Sequence, residues 1–257
     1  MLYQIKSYLK FLSKSTNQHG VHSPFVYDFV TKCIYLKKQT SEYKVLKSIR
    51  KNVLSNKSVI SVTDFGRGSR VFTSNQRQVA AIAKNAGISL KRQKLLFRIV
   101  SYFKPKRILE LGTSVGLGTA SLSLGNPSAT ITTIEGCPNT SNIATQLFQE
   151  FQLKNIHLKN ETFENFFKEA TNNSYDLVYI DGNHSKENTL QYFNFLLKKT
   201  HNDALFIFDD IYWSPSMTAA WQEIIQHPKV TVSMDIFHWG LVFFRKEQEK
   251  QHFTIRL

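Results

Sequence analysis

At 257 residues, with 42% hydrophobic and 13% aromatic side chains, the chain has the apolar mass of one large domain or of one domain with an extension, and is not a disordered polymer. Its two cysteines, Cys33 and Cys137, lie far apart without a C-x-x-C motif, which speaks against a disulfide framework or a zinc knuckle and for a reducing, cytoplasmic setting. The formal charge of +14 is unevenly spread: residues 1–104 hold 20 Lys/Arg against 3 Asp/Glu, and residues 105–257 hold 13 against 16.

That break, +17 against −3 at residue 104, points to a basic, mostly helical N-terminal extension, drawn at residues 1–90, ahead of a nearly neutral second part (91–257). The extension would attract a polyanion or an acidic substrate, although a solvated lysine-rich surface explains the charge equally well. No apolar run approaches the roughly 18 residues that span a bilayer, so a soluble, unexported protein is expected.

In chain order, residues 2–14 place Ile5, Leu9 and Leu12 at helical spacing with Lys6, Lys10 and Lys14 on other faces. A short amphipathic helix follows, packing on the body or, in a sharper reading, lying on an anionic membrane. Asn17–Pro24 reads as a loop, Phe25–Leu36 and residues 42–54 as helices. The glycine-bearing, basic stretch Asp64–Arg70 could hold an anion on its backbone, but no strand is seen leading into it, and a plain connection is expected. Helical patterns follow over Gln76–Lys84 and Ser89–Phe103.

From Pro105 the pattern changes to short apolar runs alternating with helix-length segments. Strands are expected at Arg107–Leu111, Thr130–Glu135, Ile156–Lys159, Tyr175–Asp181, Ala204–Asp209, Val230–Ile236 and Gly240–Phe244. Helices are expected at 116–123, 139–152, 161–170, 186–199 and 216–226. This βα series implies an α/β fold with a mostly parallel sheet. The last two strands, joined by three residues only, should form an antiparallel hairpin.

The segment ILELGTSVGLGT (Ile108–Thr119) runs from a buried strand through Gly112, Gly116 and Gly118 into a helix, so the backbone can approach a ligand closely. The spacing G-x-x-x-G-x-G differs from the G-x-G-x-x-G of dinucleotide binders. Glu110, in the last turn of the strand, suits a ligand with a cationic amine. Glu135 ends the next strand 23 residues past Gly112, near the offset at which an acid accepts ribose hydroxyls. A helix N-terminal charge beside Pro138 is the plainer reading of Glu135 alone.

With ITTIEGCP, YDLVYIDGNH and LFIFDDIYW, this loop makes Leu95–Arg245 resemble class I S-adenosylmethionine-dependent O-methyltransferases, especially the catechol O-methyltransferase-like branch. The resemblance implies a Rossmann-like seven-stranded sheet in the order 3-2-1-4-5-7-6. It also implies that Glu110, Gly112, Thr113 and Ser114 contact the methionyl part of S-adenosylmethionine, Glu135 the ribose, and Thr162 with Phe163 the adenine edge. Gly116 and Gly118 would shape the start of the helix.

Asp181 ends one expected strand, and Asp209 with Asp210 the next; as neighbours their ends would lie only about 4.8 Å apart at the edge where ligands of such sheets bind. Clustered carboxylates call for a cation, and oxygen ligation points to Mg²⁺, Mn²⁺ or Ca²⁺, with Mg²⁺ first. The resembling family has Asn where Asp210 stands here. Otherwise Asp181 bonds cofactor or substrate, and the other two acids merely end a strand. His184 follows Asp181 by three residues, where the catechol enzymes carry a lysine base; it reads as a general base, a further ligand or a loop histidine. Tyr212 and Trp213 read as an acceptor wall or as core.

The expectation is O-methylation of a small hydroxylated, catechol-like acceptor, with His184 and Asp181 as catalytic residues. Two alternatives remain: an RNA methyltransferase docking phosphates on residues 1–104, as some catechol-branch relatives act on tRNA wobble bases, and a non-catalytic binding module of the same fold. Assembly as a homodimer is open.

Overall fold

In the computed structural model the described residues are 2–65, 72–169 and 174–257, and they form two compact units: residues 37–171, and residues 1–36 together with 172–257. Most of the basic stretch Asp64–Arg70, from Gly66 on, lies outside the described residues.

In the unit of residues 37–171, three apolar runs form parallel strands, β3 (Arg107–Leu111), β4 (Thr130–Ile134) and β5 (Ile156–Lys159), ordered β5-β4-β3. Every residue of β3 after Arg107 is buried, as expected of a strand covered on both faces. The helices are α3 (Glu42–Ser55), α4 (Val79–Asn85), α5 (Leu90–Phe103), α6 (Leu117–Gly125), α7 (Pro138–Glu150) and α8 (Phe163–Lys168). Ser89 caps α5 by accepting from the Arg92 N–H. α5 packs on α6, where buried Gln93 donates through Nε2 to the Leu117 carbonyl at 2.9 Å.

This unit corrects one sequence reading. Val59–Ser61 (β1) does lead into the Asp64 stretch, and it pairs antiparallel with Gln76–Gln78 (β2), so the helical pattern at Gln76–Lys84 begins only at Val79. Both strands are short and largely exposed, so no apolar alternation announces them.

The other unit holds α1 (Leu2–Lys14), α2 (Pro24–Phe29) with a π-helical turn Val30–Ile34, α9 (Lys186–Leu197) and α10 (Pro215–Gln226). Its strands are β6 (Leu177–Ile180), β7 (Leu205–Asp209), β8 (Val232–Asp235), β9 (Trp239–Phe243) and β10 (Gln251–Thr254). β6 and β7 are parallel, β7 and β8 each pair antiparallel with β9, and β10 adds a parallel edge beside β8. The expected runs 3-2-1 and 4-5-7-6 are thus both present, the hairpin included, in a mostly parallel α/β fold of Rossmann-like type. β10 was not expected.

The helix at residues 2–14 forms, but its face differs from the sequence reading. Ser7 and Phe11 point inward, while Ile5, Leu9 and Leu12 are exposed. No helix among the described residues is long and apolar enough to cross a membrane.

Candidate functional site

Where β3 ends, the chain makes a tight turn into α6, and the backbone takes three positive φ angles there: Gly112 at 107°, Ser114 at 49° and Gly116 at 84°. The Gly112 and Thr113 N–H groups both donate to the Ile134 carbonyl, at 3.0 and 3.2 Å, which ties the turn to β4. Gly116 caps α6; a Cβ there would lie 2.7 Å from Phe148 Cε1, and Gly118 follows in the first turn of the helix. Gly116→Ala should therefore combine left-handed strain with overpacking and destabilise the fold by about 2–4 kcal/mol. Urea unfolding midpoints read this directly, and an unchanged midpoint refutes it.

Glu110 is fully buried. Its Oε2 accepts from Thr119 Oγ1 at 2.5 Å and Thr133 Oγ1 at 2.6 Å, and Thr133 also bonds Thr113 Oγ1 at 2.6 Å. Oε1 has no partner among the described residues. Burial is the main force raising this carboxyl from its ordinary 4.5 to about 7; the two threonines oppose the rise and nearby Glu135 adds to it. A buried acid oxygen without a donor is costly unless a ligand supplies one or the group takes up a proton.

The raised value has a consequence for the unliganded protein. The folded state holds this proton more tightly than the unfolded chain, so the contribution is intact below 4.5 and is lost as pH rises through about 7. Glu110→Gln should remove a loss of about 3 kcal/mol across that window. Parallel urea titrations at pH 5 and pH 8 would show it, and equal pH slopes for both proteins would refute it.

Glu135, just past β4, accepts the Ser114 N–H on Oε2 at 2.8 Å and the Cys137 N–H on Oε1 at 2.9 Å. It is held raised chiefly by burial, with Asp64 adding and the two N–H groups opposing. The stretch after β1 reaches the same place: the Phe65 ring lies where a Cβ on Gly136 would sit, and the Thr63 N–H points to Cys137 Sγ at 3.4 Å. Thr162 caps α8 through Oγ1, accepting from Asn165 N–H at 3.3 Å, and Phe163 begins that helix.

In the other unit, β6 and β7 deliver the acids. The Tyr179 hydroxyl lies 3.0 Å from Asp181 Oδ2 and 3.3 Å from Asp209 Oδ2, so one phenol serves both carboxylates. Asp209 is buried, and its Oδ1 accepts the Asp210 N–H at 2.9 Å. Asp210 turns the chain with a φ of 51° and also donates to the His238 carbonyl at 2.8 Å. His184, at a φ of 39°, holds Nε2 3.9 Å from Asp181 Oδ1, and its ring centroid lies 5.8 Å from that of Trp213.

Among the described residues no three His, Cys, Asp or Glu side chains gather as metal ligands. The expected trio of Asp181, Asp209 and Asp210 is not such a group: Asp181 and Asp209 share the Tyr179 hydroxyl, and Asp210 turns the chain at a φ of 51°. Tyr212 proves partly buried: its hydroxyl donates to Asp235 Oδ2, burial and then the Asp235 charge push the phenol's pKa upward, and its ring stacks on Phe237 at 5.2 Å.

Sequence reasoning missed Thr119, Thr133 and Tyr179. The role of Thr133 shows only in the fold, where it is buried and stands in register with Glu110 across β3 and β4.

Residues 109–211 match the family described as a methyltransferase domain. Among solved structures, the chain is similar to an O-methyltransferase from Bacillus cereus in complex with S-adenosylhomocysteine, at 16% identity over 85% of this chain and 96% of that one (TM-score 0.54). It is also similar to O-methyltransferase TomG from Streptomyces achromogenes in complex with S-adenosylmethionine, at 15% identity over 90% and 99% (TM-score 0.57). A putative O-methyltransferase from Klebsiella pneumoniae matches at 15% over 82% and 92% (TM-score 0.56). The chain thus shares the fold of these class I O-methyltransferases, and the match to the methyltransferase family lies over residues 109–211.

Proposed function

We propose that the chain transfers the sulfonium methyl group of S-adenosylmethionine to an oxygen of a small hydroxylated acceptor. The observation that carries the donor half is Glu110 Oε1, buried and without a partner at the mouth of a glycine turn, where a ligand ammonium group would satisfy it. Glu135 keeps lone pairs beyond its two backbone bonds and can accept ribose hydroxyls. Thr162 and Phe163 are assigned the adenine edge. The residues present therefore fit the cofactor, which when bound supplies an electrophilic methyl group.

On the acceptor side, His184 Nε2 is assigned the proton of the attacking hydroxyl, and Asp181, 3.9 Å away, stabilises the imidazolium that results. As the acceptor oxygen bonds to the methyl carbon, the carbon–sulfur bond breaks with its electron pair left on sulfur, and the hydroxyl proton passes to His184. Tyr179 keeps Asp181 and Asp209 oriented. Because no three such ligands gather among the described residues, the transfer is assigned to His184 and Asp181 without a divalent cation.

A polynucleotide acceptor is the second reading, favoured by the three cations of an open hollow of about 350 Å³ on α3, lined by Lys47, Arg50, Lys51, Leu54 and Ser55. Methyl-labelled S-adenosylmethionine incubated with the protein and fractionated cell extract separates the readings. Label in small hydroxylated compounds is the expected result, and label in RNA selects the second. Cofactor binding without any transfer would contradict both and mark a binding module.

A further inference from the structure

Helix α1 presents an apolar face to solvent. Successive helical residues turn by about 100°, so Tyr8, Leu12, Ile5, Leu9 and Leu2 fall in one arc, Ser13, Lys6, Lys10 and Lys14 in the next, and Ser7 and Phe11 in the third, which is buried. Leu2 is 76% exposed, Leu9 61% and Ile5 52%. A contiguous apolar ridge left open is unusual on a soluble surface and marks an interaction site.

The helix needs no partner to hold its shape. Tyr3 Oη donates to Thr218 Oγ1 at 2.7 Å, Thr218 Oγ1 donates to the Ile211 carbonyl at 3.0 Å, and the Tyr8 and Phe11 rings lie 4.7 and 5.5 Å from Phe237. The exposed arc is thus fixed on the body before anything binds.

We infer that α1 is an interfacial helix that docks this face on an anionic lipid surface, the apolar arc entering the headgroup boundary and Lys6, Lys10 and Lys14 meeting the lipid charge along its edge. The occupant follows from charge: the helix contains no acid, and the arc beside the apolar one carries Lys6 and Lys10, with Lys14 at its far side. Apolar burial plus basic attraction is the combination that gives interfacial helices their affinity. Symmetric pairing of two copies through this helix would leave both lysine rows without counter-charge.

Sedimentation with vesicles tests it, using pure phosphatidylcholine or a mixture one-third phosphatidylglycerol, each at low and high salt. The full chain should partition at least about tenfold more strongly onto the anionic vesicles and release as salt rises. Ile5→Glu with Leu9→Glu, and separately Lys6→Gln with Lys10→Gln, should each weaken that binding about tenfold or more. All four positions are exposed, so thermal midpoints should not move. Wild-type protein left in the supernatant, equal binding to both vesicle types, or variants that bind like wild type overturn the inference. So does a dimer in analytical ultracentrifugation that Ile5→Glu with Leu9→Glu dissociates without any vesicle binding, since a second copy would then own the face.

Discussion

Glu135→Ala is expected to weaken S-adenosylhomocysteine binding by about 10²-fold or more. The carboxylate is assigned to two ribose hydroxyls, and each hydrogen bond to a charged acceptor contributes about 1.5–3 kcal/mol. The same carboxylate accepts the Ser114 and Cys137 N–H groups, so its loss also frees the turn at Ser114, whose φ of 49° needs support. Glu135→Gln, which keeps one carbonyl oxygen, should fall between wild type and alanine. Equilibrium dialysis measures all three, and an alanine variant with wild-type affinity would remove Glu135 from the cofactor site.

His184→Ala should leave S-adenosylhomocysteine affinity within about twofold of wild type and slow turnover by about 10²–10⁴-fold, the usual range for a lost general base. The imidazole stands beside Asp181 and Trp213, on a backbone held at positive φ from Asn183 to His184. Such backbone costs energy and persists where surroundings demand it. Single-turnover rates isolate the chemical step from binding. Unchanged single-turnover rates would return His184 to an ordinary loop residue, with proximity alone left to explain transfer.

How far the sequence reached depends on the kind of signal. β3 and β9 were legible because buried strands leave mostly apolar runs, β5, Ile-His-Leu-Lys, because apolar and polar residues alternate along it, and the β8–β9 pair because only three residues separate its strands. Glu110 and Glu135 were legible because an acid at the end of such a run has few structural uses. Their supporting threonines were not: threonine is at home in any strand, and only the pairing of Glu110 with Thr133 reveals the bond.

Tyr179 was hidden for the same reason. An aromatic in a four-residue buried strand reads as core, although its hydroxyl ties Asp181 to Asp209 and so alters what those acids can do. β10, Gln-His-Phe-Thr after a charged stretch, carries no alternation and is recruited by the free edge of β8. Periodicity gave α1 as a helix but not which side faces the body, because the packed residues Ser7 and Phe11 are fewer than the exposed apolar ones.

The turn after β3, with Glu110 and Glu135, is assigned to S-adenosylmethionine. Isothermal calorimetry of the wild-type chain with S-adenosylhomocysteine tests it most directly. Saturable heat with one ligand per chain is the predicted result, and a flat titration at ligand well above the protein concentration would contradict it.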